Sequence, residues 1–118
     1  VTLGTAVVIQ AIPPAPPSFT VAVAPASGNN YTATLTWAWP PITTPPTLLD
    51  PTNFTIQRAT NLGFTTGLTS FTAAGAARGL TQTVNRNTVY YYRIRANNNV
   101  GNSSAWTNAL PFPIRTGP

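Results

Sequence analysis

Along most of the chain single apolar residues alternate with polar ones, the period of a strand with one buried face, and no stretch keeps the 3.6-residue period of an amphipathic helix. Phe19, Val21 and Val23 alternate with Thr20 and Ala22, predicting a first strand that ends at Pro25 and turns through Ser27-Gly28-Asn29-Asn30. From Tyr31 onward Ala33, Leu35 and Trp37 fall on one face and Thr32, Thr34 and Thr36 on the other. This predicts a second strand with a threonine-covered outer side and Trp37 in the core. Pro40-Pro41, Pro45-Pro46 and Asp50-Pro51 remove ladder donors and predict an irregular connection up to Asn53, after which Phe54 and Ile56 begin a third strand.

Between Thr60 and Gly79 the alternation weakens and four glycines appear. Phe64 and Phe71 are the core candidates there, and Ala73 to Arg78, too short for a stable helix, reads as loop. Alternation returns over Leu80 to Val84 and pauses at Asn85-Arg86-Asn87. It is strongest from Val89 to Ala96, where Tyr90, Tyr92, Ile94 and Ala96 share one face and Tyr91, Arg93 and Arg95 the other. A final strand is expected from Trp106 to Ile114, with Leu110, Phe112 and Ile114 on one side. Pro111 and Pro113 then leave two missing donors on one edge, which makes this an edge strand that resists pairing with another molecule. The sum is an all-β chain of about seven short strands, the pattern of a two-sheet antiparallel β-sandwich.

Composition removes most chemistry from this frame. The 118 residues suffice for one core but not for separate cofactor and substrate domains. Histidine and cysteine are absent and Asp50 is the single acidic side chain. No Ser-His-Asp triad, Cys-His dyad, His or thiolate zinc site, or carboxylate pair can be assembled, so no catalytic, cofactor or metal site is expected. The net charge of +5 comes from six arginines, Arg58, Arg78, Arg86, Arg93, Arg95 and Arg115, scattered along the sequence without a nucleic-acid-binding motif. No nucleic-acid partner is therefore expected. No apolar run approaches the length of a membrane span, and Val1 to Ile12 lacks the basic residues of a signal peptide, so no membrane insertion is expected. Sequons stand at Asn30, Asn53 and Asn102, unremarked by anything else in a Thr- and Asn-rich chain. Few charges and much Thr, Asn, Pro and Ala suggest a secreted or cell-surface setting, in bacteria by its style.

Ile12-Pro13-Pro14-Ala15-Pro16-Pro17 favours extended polyproline geometry, predicting a stiff spacer at a domain boundary. Beyond it stand Leu35-Thr36-Trp37 followed by Pro40, then Phe54-Thr55-Ile56-Gln57-Arg58-Ala59. Val84 precedes Tyr90, Tyr90-Tyr91-Tyr92-Arg93-Ile94-Arg95-Ala96-Asn97 follows, and Gly101-Asn102-Ser103 leads to Trp106. In that order the chain resembles a fibronectin type III domain from Pro13 through Thr116. The resemblance implies an immunoglobulin-like sandwich over 13–116, with 1–12 an upstream linker or the tail of a preceding module and 117–118 an exit linker. It further implies that Trp37 lies in the core of the second strand, that Val84 ends the fifth, and that Tyr90 opens the sixth as a tyrosine corner, its hydroxyl bonded to backbone of the preceding loop. Where many members carry Pro-Gly this chain has Arg86-Asn87, and Asn87 is the residue suited to a left-handed turn. Some members bind integrins through Arg-Gly-Asp in the loop corresponding to Asn97 to Ser104. That tripeptide is absent here.

Two functions fit. The favoured one is a noncatalytic extracellular spacer or scaffolding module, monomeric, whose partners are neighbouring domains of the same chain. The alternative is a binding module in which outward Tyr91, Arg93 and Arg95, beside Thr55 and Gln57, contact a glycan or surface protein. Against that alternative stands a solvated strand face where arginine stems cover Tyr91.

Overall fold

The structure, a computed structural model, describes residues 12–39, 50–98 and 100–117. Eight strands follow one another: β1 Phe19–Pro25, β2 Asn30–Trp37, β3 Asn53–Ala59, β4 Thr69–Ala74, β5 Gly79–Asn85, β6 Val89–Asn97, β7 Thr107–Asn108 and β8 Ile114–Arg115. They make two antiparallel sheets. One has the order β1-β2-β5; the other has the order β4-β3-β6-β7, with β8 also paired to β6. The expected all-β sandwich is present, with eight strands where about seven were expected.

The alternating patterns set the core directly. Val21, Ala33, Leu35, Trp37 and Val84 from the smaller sheet meet Phe54, Ile56, Tyr92 and Ile94 from the larger, all buried. Trp37 sits at the centre of an aromatic cluster, edge-on to Phe19 at 6.3 Å and tilted against Phe54 at 5.5 Å between ring centroids. Such pairing adds to the area it buries. One inward position is charged: Arg58 shares parity with Phe54 and Ile56. Its guanidinium lies over the rings of Phe71 and Tyr90 and donates to Gln82 Oε1, which also accepts from the Tyr92 hydroxyl.

The turn between β5 and β6 is built as the resemblance implies. Tyr90 is 5% exposed and its hydroxyl oxygen accepts from the Asn85 amide at 2.8 Å, so the corner satisfies a backbone donor. Asn87 takes the left-handed conformation at φ +56°, and Val84 is buried at the end of β5.

Two sequence expectations need correction. Thr69–Ala74, inside the stretch read as weakly structured, is strand β4, pairing with β3 in the register Ile56↔Phe71. The expected loop over Ala73 to Arg78 therefore begins only after Ala74. Trp106 to Ile114 is not one strand either. The Ala109 amide still donates to Tyr92 O on β6; the chain then hooks Leu110 onto β1, and Pro111 and Pro113, which lack N–H groups, cannot resume the ladder. On β1 the Leu110 amide donates to Phe19 O and its carbonyl accepts from Val21 N. It then returns to β6 as β8. Leu110 is consequently 67% exposed, Ala109 and Ile114 are buried, and Phe112 lies on the outer face of the larger sheet. The Pro-rich segment, expected to be stiff, is fastened to the body of the sandwich. Pro13 and Pro16 are fully buried, and the Pro16 carbonyl accepts from Thr107 Oγ1 at 2.7 Å. The upstream residues 1–11, the prolines of 40–49 and Pro118 lie outside the described residues.

Candidate functional site

On β6 every second residue points away from the core, which places Val89, Tyr91, Arg93, Arg95 and Asn97 in one outward column. The β3–β6 register sets Gln57 opposite Arg93 and Thr55 opposite Arg95. Thr55, Gln57, Tyr91, Arg93 and Arg95 thus meet on the outer face of the larger sheet.

The side chains there are locked. Gln57 Oε1 accepts from Arg93 Nε at 2.9 Å and from Nη2 at 2.6 Å, and Gln57 Nε2 donates to Ser70 Oγ. The Arg93 guanidinium carbon lies 4.1 Å from the Phe64 ring centroid and 4.3 Å from that of Trp106. Arg95 lies 4.5 Å from Trp106. Each is within the range where a cation is attracted to a ring face. Tyr91 packs edge-on against Phe112 at 5.1 Å, and Phe112 stacks on Phe64. On this face the arginine heads stack on Phe64 and Trp106, and Phe112 packs edge-on to Tyr91. Beyond Arg95, Asn97 Nδ2 donates to Asn53 Oδ1 and Thr55 Oγ1, each at 2.7 Å.

Electrostatically the face is one-signed. No strand of either sheet carries an acidic side chain. Burial and the neighbouring positive charge of Arg95 both push the Arg93 pKa down. Two guanidiniums two residues apart are held together by rings and an amide, not by carboxylates.

Phe64 is held there by its loop. Asn61 Oδ1 accepts from the amides of Thr65 and Thr66, and the Thr60 amide donates to Thr66 O, closing 60–66 into a compact turn. Phe64 itself sits at φ +56°, a strained conformation for a bulky side chain, yet it is 6% exposed. Burial beneath Arg93 and Phe112 is what holds it. Phe64 is therefore buried as expected, but outside the inter-sheet core.

No sequence-family profile and no curated protein matches the chain. Solved structures do. The fn3 domain of the human collagen alpha-1(XX) chain in solution superposes with a TM-score of 0.60 at 16% identity, covering 93% of this chain and 90% of that one. The chain has the fibronectin type III fold. A myokine structure is similar at a TM-score of 0.53 and 18% identity, covering 87% of this chain and 99% of that one.

Within that fold the outward parity of β6 was legible, but three members of the stack, Phe64, Trp106 and Phe112, were not placed on this face. All three come from segments outside regular strands, brought in by the β3–β4 loop and by the broken C-terminal strand. The one available signal was Phe64 itself, a large aromatic between two glycines in a polar loop, Gly63 and Gly67.

Proposed function

We propose that the chain is a noncatalytic module of a larger secreted or cell-surface protein, holding its neighbours at a set separation and direction. What carries this reading is that the chain comes into the sandwich at one pole and leaves it at the other, through segments bonded to the body at both. On the incoming side Phe19 pairs with Trp37, at the far end of β2. On the outgoing side Asn87 N donates to Gly117 O at 2.8 Å. Thr116 Oγ1 donates to Asn85 O and accepts from Thr88 N. Gly117 is packed so close to the Tyr31 hydroxyl, at the opposite end of β2, that a Cβ there would stand 2.7 Å from it. Trp37 and Tyr31 are six residues apart on one strand, so the poles are separated by about 20 Å. Bonded ends transmit orientation as well as distance, which a flexible tether does not. The collagen relative, in which this fold is a domain of a longer chain, supports the modular part of the reading.

The test is a replacement within the parent protein. An unrelated sandwich of equal span should preserve the parent's activity, while a glycine-serine linker of equal contour length should impair it. Equal performance of the linker would overturn the spacing role.

A further inference from the structure

Of the six arginines, Arg86 lies in the β5–β6 turn and the other five divide into two groups. Arg58 and Arg78 are used inside the fold, Arg58 between the sheets and Arg78 donating to the carbonyls of Trp39, Gly75 and Ala77. Arg93 and Arg95 instead lie on the outer face of β6, and Arg115 lies beside its start on β8. Arg115 pairs with outward Val89, while its neighbour Ile114 pairs with inward Tyr90 and is buried, so Arg115 takes the outward side. From the level of Val89 to Arg95 is six residues, a cationic stripe about 20 Å long. Its guanidiniums have no carboxylate on any strand to neutralise them.

We propose that this stripe binds a linear sulfated polysaccharide laid along β6, with sulfate groups on Arg95, Arg93 and Arg115. Charge complementarity over an extended, uncompensated stripe selects a linear polyanion. Fixed guanidiniums bind its oxygens without first losing side-chain entropy, because rings and Gln57 already hold Arg93, and Trp106 holds Arg95. An anion brought beside Arg93 and Arg95 also relieves the repulsion between them.

The same stacking disfavours other polyanions. Single-stranded nucleic acid gains its affinity from bases on open aromatic faces. Here Trp106 carries both arginines, Phe64 lies beneath Arg93, and Tyr91 and Phe112 are turned against each other. An acidic peptide needs a groove or a free strand edge. Arg93 and Arg95 stand on a strand paired on both sides, by β3 and by β7, Arg115 is on the two-residue strand β8, too short to template a peptide strand, and no cavity opens among the described residues. Arg93 is recessed between two rings, so an anion carried on a projecting arm, as a sulfate is, reaches it more readily than a carboxylate set on a sugar ring.

The experiment measures binding of the full chain to heparin near physiological salt, where attraction beyond about 8 Å is screened. Arms with hyaluronan and single-stranded oligothymidine run alongside. The expected result is saturable heparin binding, weakened about tenfold or more when Arg93→Gln and Arg95→Gln are combined. A control variant, Thr34→Asp with Thr36→Asp on the exposed face of β2, removes the same net charge from the opposite sheet and should keep most of the affinity. In the unsubstituted chain, heparin should shift the NMR signals of Trp106 and Arg95 before those of β2, a readout independent of whether any variant folds. The proposal fails if heparin binding does not saturate, if the two double variants lose affinity equally, if hyaluronan or oligothymidine binds as tightly, or if the shifts map elsewhere.

Discussion

Replacing Tyr90 by phenylalanine isolates one hydrogen bond of the β5–β6 corner while leaving the ring in place. The hydroxyl oxygen accepts from the Asn85 amide at 2.8 Å. The ring keeps its packing against Tyr92 at 6.4 Å and beneath the Arg58 guanidinium at 5.4 Å. The change therefore removes an acceptor and strands a backbone donor. A net hydrogen bond contributes about 1 kcal/mol, and a stranded buried donor raises the cost toward 2 or 3. Because Asn85 is an exposed residue at a strand end, water can reach its amide, and the expected loss is about 1 to 1.5 kcal/mol. For a chain of this size that lowers the midpoint of thermal unfolding by roughly 4–8 °C. Tryptophan fluorescence in a urea series should show a lower midpoint at unchanged slope, as for a pure stability change. Tyr91→Phe, one residue on and facing outward, should change stability by less than about 0.5 kcal/mol, since ring contacts to Phe112 and Phe64 survive. Equal losses at both positions, or no loss at Tyr90, would refute the assignment of the corner.

Gly75→Ala should cost about 2 to 3 kcal/mol, because a Cβ there would lie 2.2 Å from the Pro51 carbonyl oxygen and force two backbone segments apart. Gly28→Ala, with open space but φ +65°, should cost only about 1 kcal/mol in the same thermal assay. Burial raises the Tyr92 pKa, with Arg58 partly opposing it, so the folded state holds this proton more tightly than the unfolded one. That contribution is complete below the unfolded value of about 10 and is lost as pH rises beyond it, so Tyr92→Phe should flatten the alkaline fall in stability. In a double-mutant cycle, Arg93→Gln and Trp106→Leu should couple by about 0.5 to 1 kcal/mol, the size of a partly exposed cation–π contact. Additive losses would show that the stacking carries no energy.

How far the sequence reached depended on whether neighbours in space were also neighbours in the chain. β2 and β6 were legible because alternation is unbroken over Tyr31 to Trp37 and Val89 to Ala96, and parity then fixes both faces. Tyr90 was legible because its place after Val84 follows the type III pattern. β4 was missed because it is a sheet-edge strand whose inward residues are only Phe71 and Ala73, too little contrast against Thr, Ser and Ala. The prolines of the last strand were correctly taken to block the ladder, but blocked residues need not stay beside their partner. Here the chain moved to β1 and carried Leu110 into solvent. The aromatic half of the outer face was out of reach for a related reason. Parity ends where a strand ends, and Phe64, Trp106 and Phe112 arrive from segments outside strands.

A spacer of this kind needs the two ends of the sandwich to be rigidly held at opposite poles. With no native cysteine, Pro17→Cys and Arg115→Cys, both at exposed positions, accept a pair of spin labels without competing sites. The expected result is one narrow distance distribution, centred at or above about 20 Å once the label arms are included, and unchanged by added denaturant until the chain unfolds as a whole. A broad distribution in the native state, or a centre well below the span of β2, would contradict it.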